Sequence, residues 1–302
     1  MKGVQRIKIK TKDGPQICSD DPNERPTMDP AEVSEQYKQA FESLSRSGWN
    51  PDVVISHSGW GCGYYVKTIW PNCNFISYLE WWFSPESDFF HYDNNEELKI
   101  NTNQITRYFK RNQTIALELS TADLIIAPTQ WQKDQLPKIL KKSCSVVFEG
   151  ISFDESDFLH HKKLNEMTLT YGTRGMEPIR AFPQFIQSLP EIVRRLPDVA
   201  IKIAGKDRVN YGGKRNDGLS WGEWAKNYLE ANNVSANIEW VGYLNQEEYC
   251  NWLASSWCHV YLSHPYVTSW SYLDAIASGT RIVASEINAL REFKYEEIYY
   301  VD

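Results

Sequence analysis

No uninterrupted apolar run of about 18 residues occurs in the 302-residue sequence, so no segment reads as a bilayer-spanning helix. The opening stretch MKGVQRIKIKTKDG is basic but lacks the apolar core of a secretory signal, which leaves the sequons at Asn112 and Asn233 without a secretory route. Cysteine is sparse and scattered: Cys18, Cys62, Cys73, Cys144, Cys250 and Cys258 form no CxxC pair, and no histidine stands at zinc-ligand spacing. That excludes a metal knuckle and a small disulfide scaffold, and it reads as reduced thiols in a cytoplasmic protein. A basic surplus is also missing. With 32 Lys and Arg against 39 Asp and Glu, the formal net charge is -7, so no nucleic-acid partner is expected and any bound phosphate must be gripped locally. Short repeats and low-complexity tracts are absent too.

What is present is alternation. Short β-branched runs exchange with longer amphipathic stretches, the pattern of βα units building parallel sheets, and the length suits two domains. In the first half DVVIS (52–56), NFISYL (74–79), DLIIAP (123–128) and SVVFEG (145–150) read as strands. PAEVSEQYKQAFESLSRSG (30–48) and ITRYFKRNQTIALELSTA (105–122) read as helices. Residues 151–166 are polar and aperiodic, a linker, and they contain the acidic run DESD (154–157). Alternation resumes from 167: strands at 167–172, 199–205, 237–242, 258–263 and 281–285, and helices at 181–195, 220–231, 246–255 and from about 269. The expectation is an α/β protein with two Rossmann-like, doubly wound domains, 1–150 and 167–302, whose ligands sit at the carboxyl ends of strands in the crevice between them. Aromatic content is 14%, with 12 Trp; packing explains most such rings, and sugar stacking is the alternative.

Four constellations carry chemistry. In YGTRGMEPIRAFPQF (171–185), Arg174 leaves a strand and Arg180 opens a helix, so two planar guanidinium forks can converge on phosphate oxygens; an Arg174–Glu177 loop ion pair is the plainer reading. In HPYVTSWSYLDAIASG (264–279), Thr268 and Ser269 suit an N-cap, and amides from Val267 to Trp270 would form an anion site at a helix start. Asp274, one turn inward, can then accept from a vicinal diol; dipole complementation alone does not account for the preceding amide cluster. VISHSGWGCG (54–63) ends a strand with His57 and three glycines, a catalytic or a merely structural histidine. ISYLEWWFSP (76–85) presents Glu80 beside two indoles, an acid/base, a sugar hydrogen-bond partner or a solvated loop acid.

The motifs HSGWG, YLEWWF, APTQWQKDQLP, YGTRGMEPIRAFPQF and HVYLSHPYVTSWSYLDAIASGTRIVAS together resemble the retaining glycosyltransferases of family 4, in particular a subgroup with HPGWG-like and RNLEPYRGF-like motifs. The resemblance implies a GT-B architecture and transfer of a sugar from a UDP- or GDP-sugar, a substrate rather than a cofactor, with retention and no obligatory metal. The acceptor would be a glycan, a lipid-linked molecule or a small molecule, as in polysaccharide biosynthesis. Carried over, Arg174 and Arg180 hold the donor diphosphate with Val267, Thr268 and Ser269. Asp274 takes the ribose as the second acid of an E-x7-E signature whose first acid is replaced by Tyr266. Tyr243 lies in the base region, and His57 and Glu80 are candidates for catalysis. Relatives begin one βα unit earlier and continue past NALREF into a further loop, strand and helices. The chain therefore looks shortened at both ends, which predicts a homo-oligomer, a complementing partner or low stability and leaves peripheral membrane contact open. The alternative is a catalytically impaired nucleotide-sugar-binding module or a fragment of a split enzyme.

Overall fold

The computed structural model describes residues 29–92, 100, 102–151, 167–211 and 213–302, with the backbone of 16–17 and 27–28. The basic opening stretch, Cys18 and the DESD run of the linker lie outside the described residues. The backbone divides into two compact units, 1–90 with 100–149 and 91–99 with 150–302.

The first unit carries a two-residue antiparallel pair, β1 (Gln16–Ile17) and β2 (Thr27–Met28), and a four-stranded parallel sheet. The sheet strands are β3 (Val53–His57), β4 (Asn74–Tyr78), β5 (Leu124–Ala127) and β6 (Cys144–Val146), arranged in chain order. Helix α1 (Pro30–Arg46) starts where Asp29 accepts from the Ala31 amide at 2.9 Å with proline in its first turn. Helices α2 (Val66–Ile69), α3 (Asp88–His91), α4 (Thr102–Thr121), α5 (Gln130–Asp134) and α6 (Lys138–Lys141) follow. Phe41 and Leu44 of α1 pack with Val66, Trp70 and Phe75, while Ile115 and Leu119 of α4 cover Leu79, Ile125 and Ala127. Alternation along β3 sends Val53 and Ile55 to the opposite face, where they stay exposed with Leu124.

The second unit is a six-stranded parallel sheet of β7 (Thr168–Thr173), β8 (Ala200–Gly205), β9 (Ile238–Gly242), β10 (Cys258–Tyr261), β11 (Arg281–Ser285) and β12 (Ile298–Val301). Its order is β12-β11-β10-β7-β8-β9, so the direction of winding reverses between β7 and β10. Helices α7 (Phe182–Arg195), α8 (Trp221–Ala231), α9 (Gln246–Ala254), α10 (Trp270–Ala277) and α11 (Asn288–Arg291) connect the strands. Capping boxes start α8 (Ser220 with Glu223) and α9 (Asn245 with Glu248). The apolar face of α7, Phe182, Phe185, Ile186 and Leu189, closes over Tyr171, Ile201 and Ile203, with Tyr171 stacked on Phe185 at 4.3 Å. Strand β12 is unannounced in the sequence: it has one β-branched residue at each end of two tyrosines, and pairing with β11, Ile282 opposite Ile298, sets it in place.

A polar knot sits inside this sheet. Thr170 Oγ1 lies 2.9 Å from His259 Nδ1 and 2.7 Å from Ser256 Oγ. Burial pushes the His259 pKa from 6.5 down to about 3. The unfolded imidazole protonates near 6.5 and the native one only near 3, so His259 draws stability out of the fold as pH falls through that window, at about 1.4 kcal/mol per unit. His259→Asn should flatten that part of a urea-midpoint-versus-pH curve; an unchanged slope would show that other groups set it.

Candidate active site

Strand β7 runs into a 3-10 turn, Pro178–Arg180, and Ala181 adopts a left-handed backbone (φ 47°) before α7 begins. The buried Tyr171 hydroxyl donates to the Arg180 carbonyl at 2.8 Å, and the His264 amide donates to the Ile179 carbonyl at 2.8 Å. Thus the turn after β7 is tied both to its own strand and to the segment after β10. The Arg180 guanidinium donates through Nη1 to Tyr261 Oη (3.0 Å) and Ser263 Oγ (2.8 Å), which end and follow β10. These contacts place Arg180 at the winding reversal, where open α/β sheets bind ligands. Arg174 is exposed and donates to Tyr211 Oη at 3.3 Å. Glu177 is 1% exposed and accepts from the amides of Asn210 (3.0 Å) and Tyr211 (2.7 Å), so it steadies the loop that carries the Arg174 partner.

The amide cluster is arranged differently from the sequence expectation. Ser269 is the N-cap of α10, yet its hydroxyl meets Ser271 Oγ at 2.9 Å and makes no capping bond. Thr268 turns its hydroxyl to the Ala289 carbonyl at 2.7 Å, so its side chain braces the helix start from below. Val267 is half-buried. Neither hydroxyl caps the first turn of α10, and the Tyr272 amide donates instead to the Ser269 carbonyl at 3.0 Å. Asp274 is 8% exposed, accepts weakly from Tyr249 Oη at 3.4 Å, and is pushed by burial from 3.8 to about 6.

Tyr243 follows the last residue of β9 and is 74% exposed, with the Lys206 ammonium 4.5 Å above its ring. Beside it, at the carboxyl ends of β8 and β9, Gly205, Asp207, Gly222, Lys226, Trp240 and Gly242 line a cavity of ≈ 170 Å³. Asp207 accepts from the Gly222 amide at 2.9 Å and so shapes this cavity; an acid just past a strand end was the available signal, and the sequence reading passed over it.

In the first unit the two candidate catalytic residues meet. His57 ends β3, and its Nε2 lies 3.5 Å from Glu80 Oε2, both side chains part-exposed. The ring's Nδ1 lies 3.0 Å from the Ser58 carbonyl, which can only accept, so Nδ1 donates there and Nε2 is the nitrogen that faces Glu80. Gln132 holds the Glu80 carbonyl at 2.6 Å, and Tyr78, 5.2 Å from the His57 ring, donates to Glu149 at 2.7 Å. Beneath them lies a residue that the sequence reading missed. Glu118 of α4 is fully buried and accepts from the amides of Gly59 (3.0 Å) and Gly63 (2.9 Å), clamping the HSGWGCG loop. Burial raises its pKa from 4.5 to about 7 against the opposing pull of those amides. The signal was an acid within the apolar spacing of Ile115, Leu119 and Ala122.

Among the described residues, no group of three or more His, Cys, Asp or Glu side chains is placed to hold a metal ion, and no helix is long and apolar enough to cross a membrane.

Two parallel-sheet α/β domains, the second wound in reversing order, define the GT-B class of architecture. Residues 1–155 match the profile of the glycosyl transferase family 4 group, and the chain belongs to that family. No functionally curated protein matches it in sequence. Among solved structures it is similar to Anabaena HepE in complex with UDP (TM-score 0.62, 13% identity, 88% of this chain and 68% of that one). It is also similar to the pneumococcal O-GlcNAc transferase GtfA in complex with UDP and GlcNAc (0.58, 14%, 82% and 44%). A third is the catalytic domain of Arabidopsis starch synthase IV bound to ADP and acarbose (0.59, 10%, 90% and 66%). The chain thus spans about two thirds of the length of these structures or less.

Proposed function

We propose that the chain transfers a sugar from a UDP- or GDP-sugar to a glycan, lipid-linked or small-molecule acceptor with retention and without an obligatory metal. The observation that carries this reading is Arg180 fixed at the winding reversal by Tyr261 and Ser263, with the start of α10, which has no side-chain cap, in the same domain. Arg180, Arg174 and the amides around Val267, Thr268 and Ser269 bind the diphosphate and stabilise it as the glycosidic bond breaks. Asp274 accepts from the ribose hydroxyls, and the base lies by Tyr243. His57 and Glu80 receive the acceptor: a hydroxyl placed between them donates to the Glu80 carboxylate, which orients it and takes its proton as the new glycosidic bond forms.

Turnover of a panel of nucleotide-sugars, read beside calorimetry with UDP and GDP, tests the reading, and the product's anomeric NMR signal reports retention. Heat of binding without turnover, with every donor tried, would instead make the chain a nucleotide-sugar-binding module. Undiminished turnover after chelation supports the metal-free part.

Asp274 gives a pH test. Ribose hydroxyls donate to the ionised form, so nucleotide affinity should fall as pH drops through about 6, the raised native pKa. Asp274→Asn should lower UDP or GDP affinity by about 10- to 100-fold, the worth of one charged hydrogen bond, and abolish that dependence. Because the native pKa is raised, the carboxyl's stabilising contribution is greatest below 3.8 and is lost as pH rises to about 6. Asp274→Asn without ligand should therefore be the more stable protein at pH 8. A variant that binds nucleotide as the parent does would remove Asp274 from the ribose site.

A further inference from the structure

Of the 12 tryptophans, three are exposed: Trp49 (48%), Trp60 (59%) and Trp270 (65%). Trp49 rests edge-on against Trp70 at 5.5 Å, and Trp270 opens α10 within the site already described. Trp60 is different. It stands on the glycine loop between Gly59 (φ 90°) and Gly61 (φ 81°), both in backbone conformations that side chains disfavour. A Cβ at Gly61 would lie 2.1 Å from the Pro30 carbonyl oxygen. The Glu118 carboxylate clamps the loop from inside through Gly59 and Gly63. A large apolar ring is thus held in water by a rigid support, where ordinary packing would bury it.

We propose that Trp60 is a stacking platform for a hexopyranosyl ring of the acceptor. The inference rests on the transferase reading and names the substrate class of its acceptor side. The surroundings fit a sugar. The His57 ring centroid is 6.4 Å from the indole, and His57 leads to Glu80 and Tyr78, with Glu149 beyond, a set of acceptors and donors beside one apolar plane. A pyranose has the matching form, with one C–H face for the electron-rich ring and a rim of hydroxyls for the polar groups. Two carboxylates in this cluster, on a chain of net charge -7, disfavour an anionic lipid surface as the occupant.

Saturation-transfer NMR with the methyl glycosides of glucose, galactose, mannose and N-acetylglucosamine tests this without any donor. The wild-type chain and Trp60→Phe should saturate the C–H protons of one ring face of at least one glycoside. Trp60→Ala should weaken that binding by about tenfold or more, while its melting temperature and its affinity for UDP and GDP stay unchanged. Equal binding by Trp60→Ala overturns the proposal, as does a wild-type chain that binds none of the four at millimolar concentration. Sedimentation with phosphatidylglycerol vesicles that is lost in Trp60→Ala, with no glycoside bound, overturns it in favour of a membrane contact. Failure of the transferase reading would register separately, as absence of UDP and GDP binding and of turnover.

Discussion

Replacing Arg174 and Arg180 together by alanine is expected to lower donor turnover by about a thousandfold or more, with the fold retained. Removal of one preorganised donor from a developing anion costs about 10²- to 10³-fold, and this change removes the two guanidinium groups assigned to the diphosphate. The two should not contribute equally. Arg180 reaches Tyr261 and Ser263 from a turn whose carbonyl is held by Tyr171, so its fork is in place before substrate arrives. Arg174 is exposed and steadied by a single 3.3 Å bond to Tyr211, so Arg174→Ala alone should cost about tenfold, the worth of one solvated charged contact. Arg180→Lys should fail nearly as badly as alanine, because an ammonium cannot hold Tyr261, Ser263 and phosphate in one plane. Single-turnover cleavage of a radiolabelled donor, with circular dichroism as the control on folding, measures each. Parental rates in a folded double variant would remove the diphosphate from this place.

The parts that the sequence makes legible are those decided locally. β-branched runs between amphipathic stretches announce β7 to β11 to within a few residues, because buried parallel strands must be apolar on both faces. Arg174 and Arg180 are visible because strand-to-helix turns have a recognisable form. Long-range partners are not visible. Tyr261 and Ser263 lie 81 and 83 residues beyond Arg180, and only the sheet order brings them beside it. Thr268 and Ser269 look equally good as caps, yet Thr268 bonds a carbonyl 21 residues downstream, which no local pattern encodes. Strand β12 depends on the β11 edge, and His57 meets Glu80 only because β3 and β4 are neighbours in register.

Glu118→Ala should be the most damaging single change in the first unit. It strips the buried Gly63 amide and the half-buried Gly59 amide of their acceptor and leaves a void under the glycine loop. Each buried donor left unsatisfied costs about 1–3 kcal/mol, so a loss of about 3 kcal/mol or more is expected, seen as a melting temperature lower by several degrees. The pH dependence has a defined sign. The native pKa is raised from 4.5 to about 7, so the folded chain holds this proton more tightly than the unfolded one. Stability from this group is full below about 4.5 and is lost as pH rises to about 7, opposite to the trend set by His259. Glu118→Gln keeps the volume and cannot ionise, so it should abolish that slope. It still turns an NH₂ toward one of the glycine amides, donor against donor, and costs about 1–2 kcal/mol. Function should follow the loop rather than the donor site: in both variants acceptor KM rises while UDP affinity is kept, and Gln rescues part of what Ala loses. A Glu118→Ala protein that melts with the parent and handles acceptor as the parent does would show that the loop holds its shape through its glycines alone.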